Sequence, residues 1–274
     1  MMNYEEFKEY VTKNILNFAP ECMKNAKVEI RKVNKNNIVL DAIVLNIGHQ
    51  ACPTMYFENL YKMYLHGISI EKMLSDSFAE IVKHLPTNFD LTDKSRIIYQ
   101  LVNTKWNREM LKDLPHREFM DMSIIYRYLV DIDERCGQSA RITKQFADVL
   151  GLSEQELFEL AKENTQKILK PTIFNMGLMF GVTNEEAWNG SNAFLNMSLF
   201  DNYASIFNSD LYVFPSSIHE LIIMPVTMCK EMNISDLRNI VQSVNSEFVN
   251  IEDRLSDNVY LFSRKDKIFS ILEV

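Results

Sequence analysis

The side chains best suited to chemistry lie in one polar segment, residues 216–220, between two apolar runs. Serine, histidine and glutamate are the residue types of a nucleophile, a general base and a group that orients the base. On an extended strand, Ser217 and His219 point to the same face, whereas Glu220 points to the other. A catalytic array would therefore need a turn, which Pro215 could supply. The alternative is a structural corner in which serine hydroxyls bond the backbone, and the pattern favours that interpretation.

A second polar cluster, residues 114–121, precedes a β-rich run at 122–130. His116, Glu118 and Asp121 are possible metal ligands, but one short segment is a poor metal site, because closed metal sites draw ligands from several elements. Arg127 lies inside the apolar run, where a charge needs a partner, and charges that enter a core are also typical of active sites. The candidate catalytic residues are therefore His219, Ser217, His116, Glu118 and Arg127.

The scarce glycines and cysteines exclude several classes of site. The seven glycines form neither a GxGxxG nor a GxxxxGK[ST] pattern, which phosphate-binding loops need so that the backbone can approach the ligand. The four cysteines are far apart and form no CxxC pair, which argues against zinc sites of the finger or ribbon type. We expect no cofactor and no metal.

Charge and hydropathy limit the partners. The net charge is −8, with 37 acidic and 29 basic residues, which argues against a broad phosphate-binding surface and makes nucleic acid an unlikely ligand. The start of the chain lacks the basic and apolar regions of a signal peptide. No apolar run approaches the ~20 residues of a membrane helix. We expect a cytoplasmic protein with no membrane contact, and the sequence leaves the oligomeric state open.

The first part of the chain predicts a small α+β unit that would hold no candidate residue. Apolar residues at helical spacing indicate a helix over 4–18, and an Asn-rich break between two β-rich runs indicates a hairpin over 27–47. Residues 53–57 predict a short strand that leads into a helix, and Ser69 predicts the N-cap of another. The clearest internal break is at 86–90, and we place a domain boundary there.

The second part must position the candidate residues. The run at 122–130 predicts a central strand, while 93–103 fits a helix or a strand equally. Capping boxes at 153–156 and 183–186 each predict a helix start. Further elements predicted here are a β-like run at 172–182, a helix over 193–207, a helix capped by Ser235 and a hairpin over 258–272.

Helices and strands are interspersed without strict βαβ alternation, which predicts an α+β fold with a mostly antiparallel sheet and flanking helices. We predict an N-terminal α+β subdomain, 1–88, built as helix–hairpin–helix, packed on a larger C-terminal α+β domain, 96–274. The alternative is that the two parts form one continuous unit.

Several stretches resemble an uncharacterised domain-of-unknown-function family typical of gut Clostridia and related Firmicutes. The most specific are Pro215-Ser216-Ser217-Ile218-His219-Glu220 and Leu255-Ser256-Asp257-Asn258-Val259-Tyr260. Others are 53–57, 114–121, 125–127 and 210–225, so the resemblance covers nearly the whole chain. The sequence departs from it at Asn189-Gly190-Ser191-Asn192, where an apolar continuation is expected. The resemblance implies a bacterial, intracellular protein and transfers no catalytic residue.

Without a strong catalytic, nucleotide or metal signature, the sequence favours a non-enzymatic protein-binding or regulatory module with a protein partner. An inhibitor carried by a mobile element is one extension of this hypothesis. The alternative is a hydrolase-like enzyme whose polar cleft is formed by His116, Glu118, Arg127 and His219. That alternative requires these residues to converge, although they are distant in sequence.

Overall fold

The computed structural model describes residues 1–48, 52–83, 92–133, 136–215, 217–229 and 232–273. Backbone contacts divide the chain into two compact units, Met1–Asn88 and Phe89–Val274. The predicted break at 86–90 lies outside the described residues. That 1–88 and 96–274 are separate domains stays a prediction.

The first unit combines an antiparallel sheet with helices. Its elements are α1 (Tyr4–Asn14), β1 (Lys27–Lys35), β2 (Ile38–Asn46), β3 (Thr54–Tyr56), α2 (Phe57–Leu65) and α3 (Ile70–Lys83), with 3₁₀ turns at Ile15–Phe18 and Glu21–Met23. The strand order is β1-β2-β3, and both pairings are antiparallel. The predicted helix, hairpin, short strand and following helices are confirmed.

Local sequence explains these elements. Asn3 and Glu6 form a capping box that satisfies free N–H groups at the start of α1. Asn37 adopts a φ of 61° and turns the chain between β1 and β2, a conformation that Asn tolerates well. Phe7 and Val11 of α1 are buried against Phe57 and other apolar residues, so the helical stripe predicted from spacing is the stripe that packs.

The second unit contains two antiparallel sheets. Its strands are β4 (Ile97–Asn103), β5 (His116–Phe119), β6 (Met122–Asp133), β7 (Cys136–Arg141), β8 (Pro171–Asn175), β9 (Phe180–Asn184), β10 (Leu211–Phe214), β11 (Leu221–Pro225), β12 (Tyr260–Phe262) and β13 (Phe269–Ile271). Its helices are α4 (Arg108–Leu111), α5 (Lys144–Leu150), α6 (Glu154–Ile168), α7 (Met197–Phe207) and α8 (Ile234–Phe248), with 3₁₀ segments at Lys94–Arg96, Gly190–Leu195 and Val226–Met228.

One sheet has the order β4-β6-β5, with β7 also paired to β6, and the other has the order β13-β12-β10-β11-β9-β8. Both sheets contribute to one core, in which Tyr126 and Tyr260 are fully buried with Phe194 of the 3₁₀ segment. The α+β fold with antiparallel sheets is confirmed. The run at 93–103, which fitted two assignments, is the edge strand β4 after a 3₁₀ turn.

Three local predictions need correction. The capping box at 183–186 is wrong, because Thr183 lies within β9 and its hydroxyl donates to the carbonyl of His219 at 2.8 Å. The cap of α8 is Asn233 and not Ser235, since the Asn233 side chain accepts from the N–H of Asp236 at 2.8 Å. The helix predicted over 193–207 begins only at Met197, after the 3₁₀ segment.

No helix in the described part of the chain combines the length and apolar composition that crossing a membrane requires.

Candidate functional site

His219 lies at the corner between β10 and β11, and both of its ring nitrogens are engaged. Nδ1 accepts the backbone N–H of Asn189 at 3.2 Å, and Nε2 lies 3.3 Å from Asp253 Oδ1. With Nδ1 accepting, the proton of the neutral imidazole is on Nε2, which donates to Asp253. Ser217 Oγ accepts the backbone N–H of His219 at 3.0 Å, so its contact is with the main chain. Ser216 lies outside the described residues.

The loop that follows β9 is attached to this corner. Ser191 Oγ donates to the carbonyl of Ile218 at 2.7 Å, and the Ser191 N–H donates to the same oxygen at 3.3 Å. Gly190 is packed so closely that a Cβ there would overlap the carbonyl oxygen of His219 and lie 2.6 Å from the Cα of Thr183. Only glycine fits this position without a shift of backbone. Asn189, in front of it, has a φ of 52°.

Asn192 connects the same loop to β4. Its Nδ2 donates to the carbonyl of Tyr99 at 2.8 Å, and the Tyr99 hydroxyl donates to the carbonyl of Asn192 at 3.2 Å. Burial raises the pKa of Tyr99, so the hydroxyl keeps its proton and remains a donor. The segment Asn189-Gly190-Ser191-Asn192 departs from the expected apolar pattern. Its buried polar groups connect the corner at His219 to β4. Sequence reasoning missed this role.

Asp121 is the centre of a second polar network. Its Oδ2 accepts from the hydroxyl of Ser256 at 2.7 Å and from Nδ2 of Asn258 at 2.9 Å, and its Oδ1 accepts from the hydroxyl of Tyr260. Burial, and then the charge of Asp121 and its hydrogen bond, raise the pKa of Tyr260. Three neutral donors thus hold one half-buried carboxylate. Met120 precedes it with a φ of 57°.

The segment before β12 is held from a third side as well. Asn245 Nδ2 donates to the carbonyl of Ser256 at 3.0 Å and to Asp257 Oδ1 at 2.9 Å. Asn103 Nδ2 donates to the carbonyl of Leu255 at 3.1 Å. The phrase Leu255-Ser256-Asp257-Asn258-Val259-Tyr260 therefore supplies the contacts that fix this segment to α8 and to the two sheets.

Arg117, which lies within the predicted polar cluster, forms a two-point ion pair with Glu154. Its guanidinium lies 3.1 Å and 2.9 Å from the two carboxylate oxygens of Glu154, and stacks over the ring of Phe158 at 4.0 Å. Tyr126 also donates to Glu154. Although burial opposes ionisation, the hydrogen bonds from Arg117 and Tyr126 lower the pKa of Glu154. Beyond the arginine itself, no local pattern in the sequence predicts this contact.

The remaining predicted residues, His116, Glu118 and Arg127, lie on one face of the sheet formed by β4, β5, β6 and β7. His116 pairs with Ile125, and Glu118 pairs with Ser123, so their side chains share a face with Arg127, two residues farther along β6. His116 Nδ1 is 3.0 Å from the carbonyl of Leu114.

Arg127 has polar partners inside the same sheet. Its Nε donates to Ser139 Oγ at 2.7 Å, its Nη2 donates to the carbonyl of Ser139 at 2.9 Å and its Nη1 donates to Gln100 Oε1 at 3.1 Å. These contacts hold its guanidinium against β4 and β7. A charged side chain on this central strand is thereby accommodated by oxygen acceptors.

His219 belongs to the other side of that sheet. Phe119, on the opposite face from Glu118, packs against Phe194 with ring centroids 5.6 Å apart. Phe194 lies in the 3₁₀ segment that follows Asn189, and Asn189 is the partner of His219. The sheet therefore stands between His219 and the group of His116, Glu118 and Arg127. This arrangement gives the hydrolase hypothesis no geometric support, and it stays a prediction.

Comparison with protein-family models gives two matches, over residues 4–180 and 177–264, to one model described as Family of unknown function (DUF5688). The chain belongs to this family. No curated protein matches the chain, and no solved structure matches it either. The predicted origin of this DUF5688 member in gut Clostridia or Firmicutes stays a prediction.

The described residues of this DUF5688 member offer no set of metal ligands. Across the described residues, His, Cys, Asp and Glu side chains form no group of three or more that could hold an ion. The cleft of about 770 Å³ near the β12–β13 turn carries charges of both signs. Lys267 there is 2.6 Å from Asp201, and the N–H of Arg264 donates to Asp210 at 2.8 Å. The guanidinium of Arg264 donates to Asn208, so both carboxylates of the cleft already have donors.

The outer side of α8 is apolar and exposed. Ile240, Val244 and Phe248 are 49%, 36% and 77% exposed, and their spacing of four residues places them along one side of the helix. Ile251, in the turn beyond the helix, is 48% exposed. We call these four residues the α8 stripe.

Proposed function

We propose that this protein is a non-enzymatic binding module that docks a protein partner through the α8 stripe. The exposed apolar side chains of that stripe are the observation that carries the proposal. Single exposed apolar residues are ordinary on protein surfaces, but a contiguous row along one helix is typical of an interaction site. A helix that presents side chains at such spacing fits an apolar groove on a partner.

The border of the α8 stripe indicates the chemistry of that partner. Asp236 precedes Ile240 by four residues and Glu247 follows Val244 by three, and both carboxylates are exposed. Arg238, the cation within α8, lies two residues before Ile240, and helical spacing turns it away from the stripe. Arg254 lies at the end of the helix, where its guanidinium donates to the carbonyls of Ser246 and Val249. We therefore assign the stripe to a partner groove bordered by lysine or arginine.

A second copy of the chain fits this surface less well. In a two-fold dimer the same patch meets itself, so the acidic border of one helix would approach the acidic border of the other. Like charges at that position would oppose association. A basic partner has no such cost, and a regulatory or inhibitory role in a bacterial cytoplasm is part of the same proposal.

Affinity capture from a native host lysate with cross-linking tests the proposal. The bait is the full chain, the test variant carries Val244→Ser with Phe248→Ser, and the control is Val149→Ser, which changes a residue that is 73% exposed on α5. We expect one partner to be retained by the unmodified chain and the control and lost with the test variant. Enrichment of no partner over a surface-charge-matched control protein would contradict it.

Charge reversal identifies the predicted border on the partner. Asp236→Lys with Glu247→Lys should weaken binding of the purified partner by at least about tenfold, which corresponds to ~1.4 kcal/mol. Binding of the unmodified chain should weaken as salt is added. Equal affinity of the reversed and unmodified chains would show that the border contributes nothing.

A further inference from the structure

β8 is an outer strand of the six-stranded sheet, and β9 is its strand partner in the described chain. The register fixes which backbone groups face outward. The N–H of Met176 donates to the carbonyl of Met179 at 2.9 Å and closes the turn at Gly177 and Leu178. Because hydrogen-bonded pairs alternate along an antiparallel ladder, the N–H and C=O groups of Ile173 and Asn175 point away from β9.

Two other edges in the described part of the chain are protected. On β4, the N–H of Tyr99 donates to Thr165 Oγ1 at 3.1 Å, and Nδ2 of Asn164 donates to the carbonyl of Ile97 at 2.9 Å. On β1, the edge carries the cations Lys27, Arg31 and Lys32. Covered backbone groups and edge charges are the usual protections against a foreign strand.

β8 has neither protection. Its sequence is Pro-Thr-Ile-Phe-Asn, without a charge, and no described side chain hydrogen-bonds the outward groups of Ile173 and Asn175. Pro171 removes a donor only at the first position. The exposed edge therefore offers a short row of backbone donors and acceptors, which selects an extended polypeptide and not a small ion or a helix.

A groove lies directly beside this edge. It has a volume of about 350 Å³ and is lined by Ile173 of β8, by Asn196, and by Leu199, Asn202 and Tyr203 of α7. Asparagine amides and apolar side chains both line it, so it suits a side chain of moderate size with its backbone at the rim.

The opposite face of the edge is formed by an aromatic ring. Phe174 is 43% exposed, and its ring lies over Gly181 of β9, where a Cβ would meet its Cε2 at 2.6 Å. The ring thus leans toward β9 and away from the outer edge, so it leaves the outward backbone groups of β8 uncovered. The groove on the other face is the site for side chains of an extended segment.

We propose that β8 binds an extended peptide segment of a partner protein by strand addition, with alternate apolar side chains entering the groove beside Leu199 and Tyr203. This edge is separate from the α8 stripe, so its occupant can be tested without touching α8.

Fluorescence anisotropy with a labelled, end-capped peptide of alternating isoleucine and threonine tests this assignment on the full chain. The matched probe carries N-methyl groups on the amides that would face β8, which removes their hydrogen bonds and keeps the side chains. We expect the unmodified peptide to bind at least about tenfold more tightly than the methylated one. Equal binding of the two peptides, or binding of neither, would overturn the proposal.

The protein side is tested with Ile173→Pro, which removes the outward N–H without breaking the ladder to β9. An edge strand tolerates such a proline. Ile173→Val is the control, because it keeps the N–H and the branched side chain. We expect the proline variant to lose binding at least about tenfold, and the valine variant to keep it. Unchanged binding by a folded proline variant would refute strand addition, as would sedimentation showing that β8 pairs with a second copy of the chain.

Discussion

The hydroxyl of Ser256 donates to Asp121 Oδ2 at 2.7 Å, although the two residues are separated by 135 positions in sequence. Asp121 lies in the turn between β5 and β6, and Ser256 lies just before β12. This contact, together with the bonds from Asn258 and Tyr260, connects the two sheets through one carboxylate. The segment Leu255–Tyr260, one of the two most specific parts of the family resemblance, therefore has a structural role.

Asp121→Asn is expected to lower the free energy of unfolding by about 2 to 3 kcal/mol, because hydrogen bonds to a charged group are lost. The new amide also directs N–H donors at groups that are themselves donors. Urea denaturation followed by circular dichroism measures the change. Asp148→Asn makes the same chemical change at an exposed residue of α5 and should be nearly neutral. Equal stability of the two variants would show that the network is unimportant.

Glu154→Gln should destabilise the protein at neutral pH by roughly 1.5 kcal/mol, because Arg117 and Tyr126 lose a charged acceptor. The folded-state pKa of Glu154 is lowered by these donors, so its contribution is present above the unfolded pKa. That contribution is lost as the pH falls through the lower folded pKa.

Thermal unfolding between about pH 3 and pH 7 measures this dependence, since an ordinary Glu titrates near about 4.3. The difference between wild type and Glu154→Gln should shrink as the pH falls below about 4. Glu109→Gln, which removes an exposed partner of Lys112, is the control. A difference that stays constant over the range would argue against an ionic origin.

Gly190→Ala should cost about 3 kcal/mol, because the added methyl group meets backbone atoms of His219 and Thr183 that cannot move independently. Gly151→Ala separates this clash from backbone strain. Gly151 has a φ of 63° and open space around its Cα, so alanine there should cost only about 1 kcal/mol. Chemical denaturation of both variants gives the comparison, and a larger loss for Gly151→Ala would be evidence against close packing at the corner.

Tyr99→Phe removes the hydroxyl that bonds the carbonyl of Asn192 and should lower the free energy of unfolding by about 1 kcal/mol. Tyr10→Phe, at an exposed position of α1, is the matched control and should change little. If the Tyr99 variant unfolds at the same denaturant concentration as the wild type, the bond between β4 and the loop adds no net stability.

The sequence predicted those helices and strands that are determined by interactions between residues close together in the chain. The Ser153–Glu156 capping box starts α6 as expected, because both of its hydrogen bonds close within one turn. The same pattern at Thr183 failed, since pairing with Thr172 of β8 keeps the chain extended there. Local pattern cannot reveal that the Thr183 hydroxyl has a distant partner in His219.

The candidate site shows the same division. Ser217 and His219 were placed correctly at a corner between two strands, because flanking apolar runs and Pro215 are local signals. The partners of His219, which are Asn189 and Asp253, come from loops 30 and 34 positions away. Spacing in one sequence does not predict such pairs, and the buried polar loop at Asn189 was expected to be apolar.

The position of β12 has a consequence for synthesis of the chain on the ribosome. β12 pairs with β10, and Tyr260 and Phe262 are fully buried in the core of the second unit. Ile271 of β13 also packs against that core. The large sheet therefore cannot close until β12 and β13 have been synthesised. Until then, β10 and β11 of the nascent second unit stay uncovered. A chaperone is most useful during that interval.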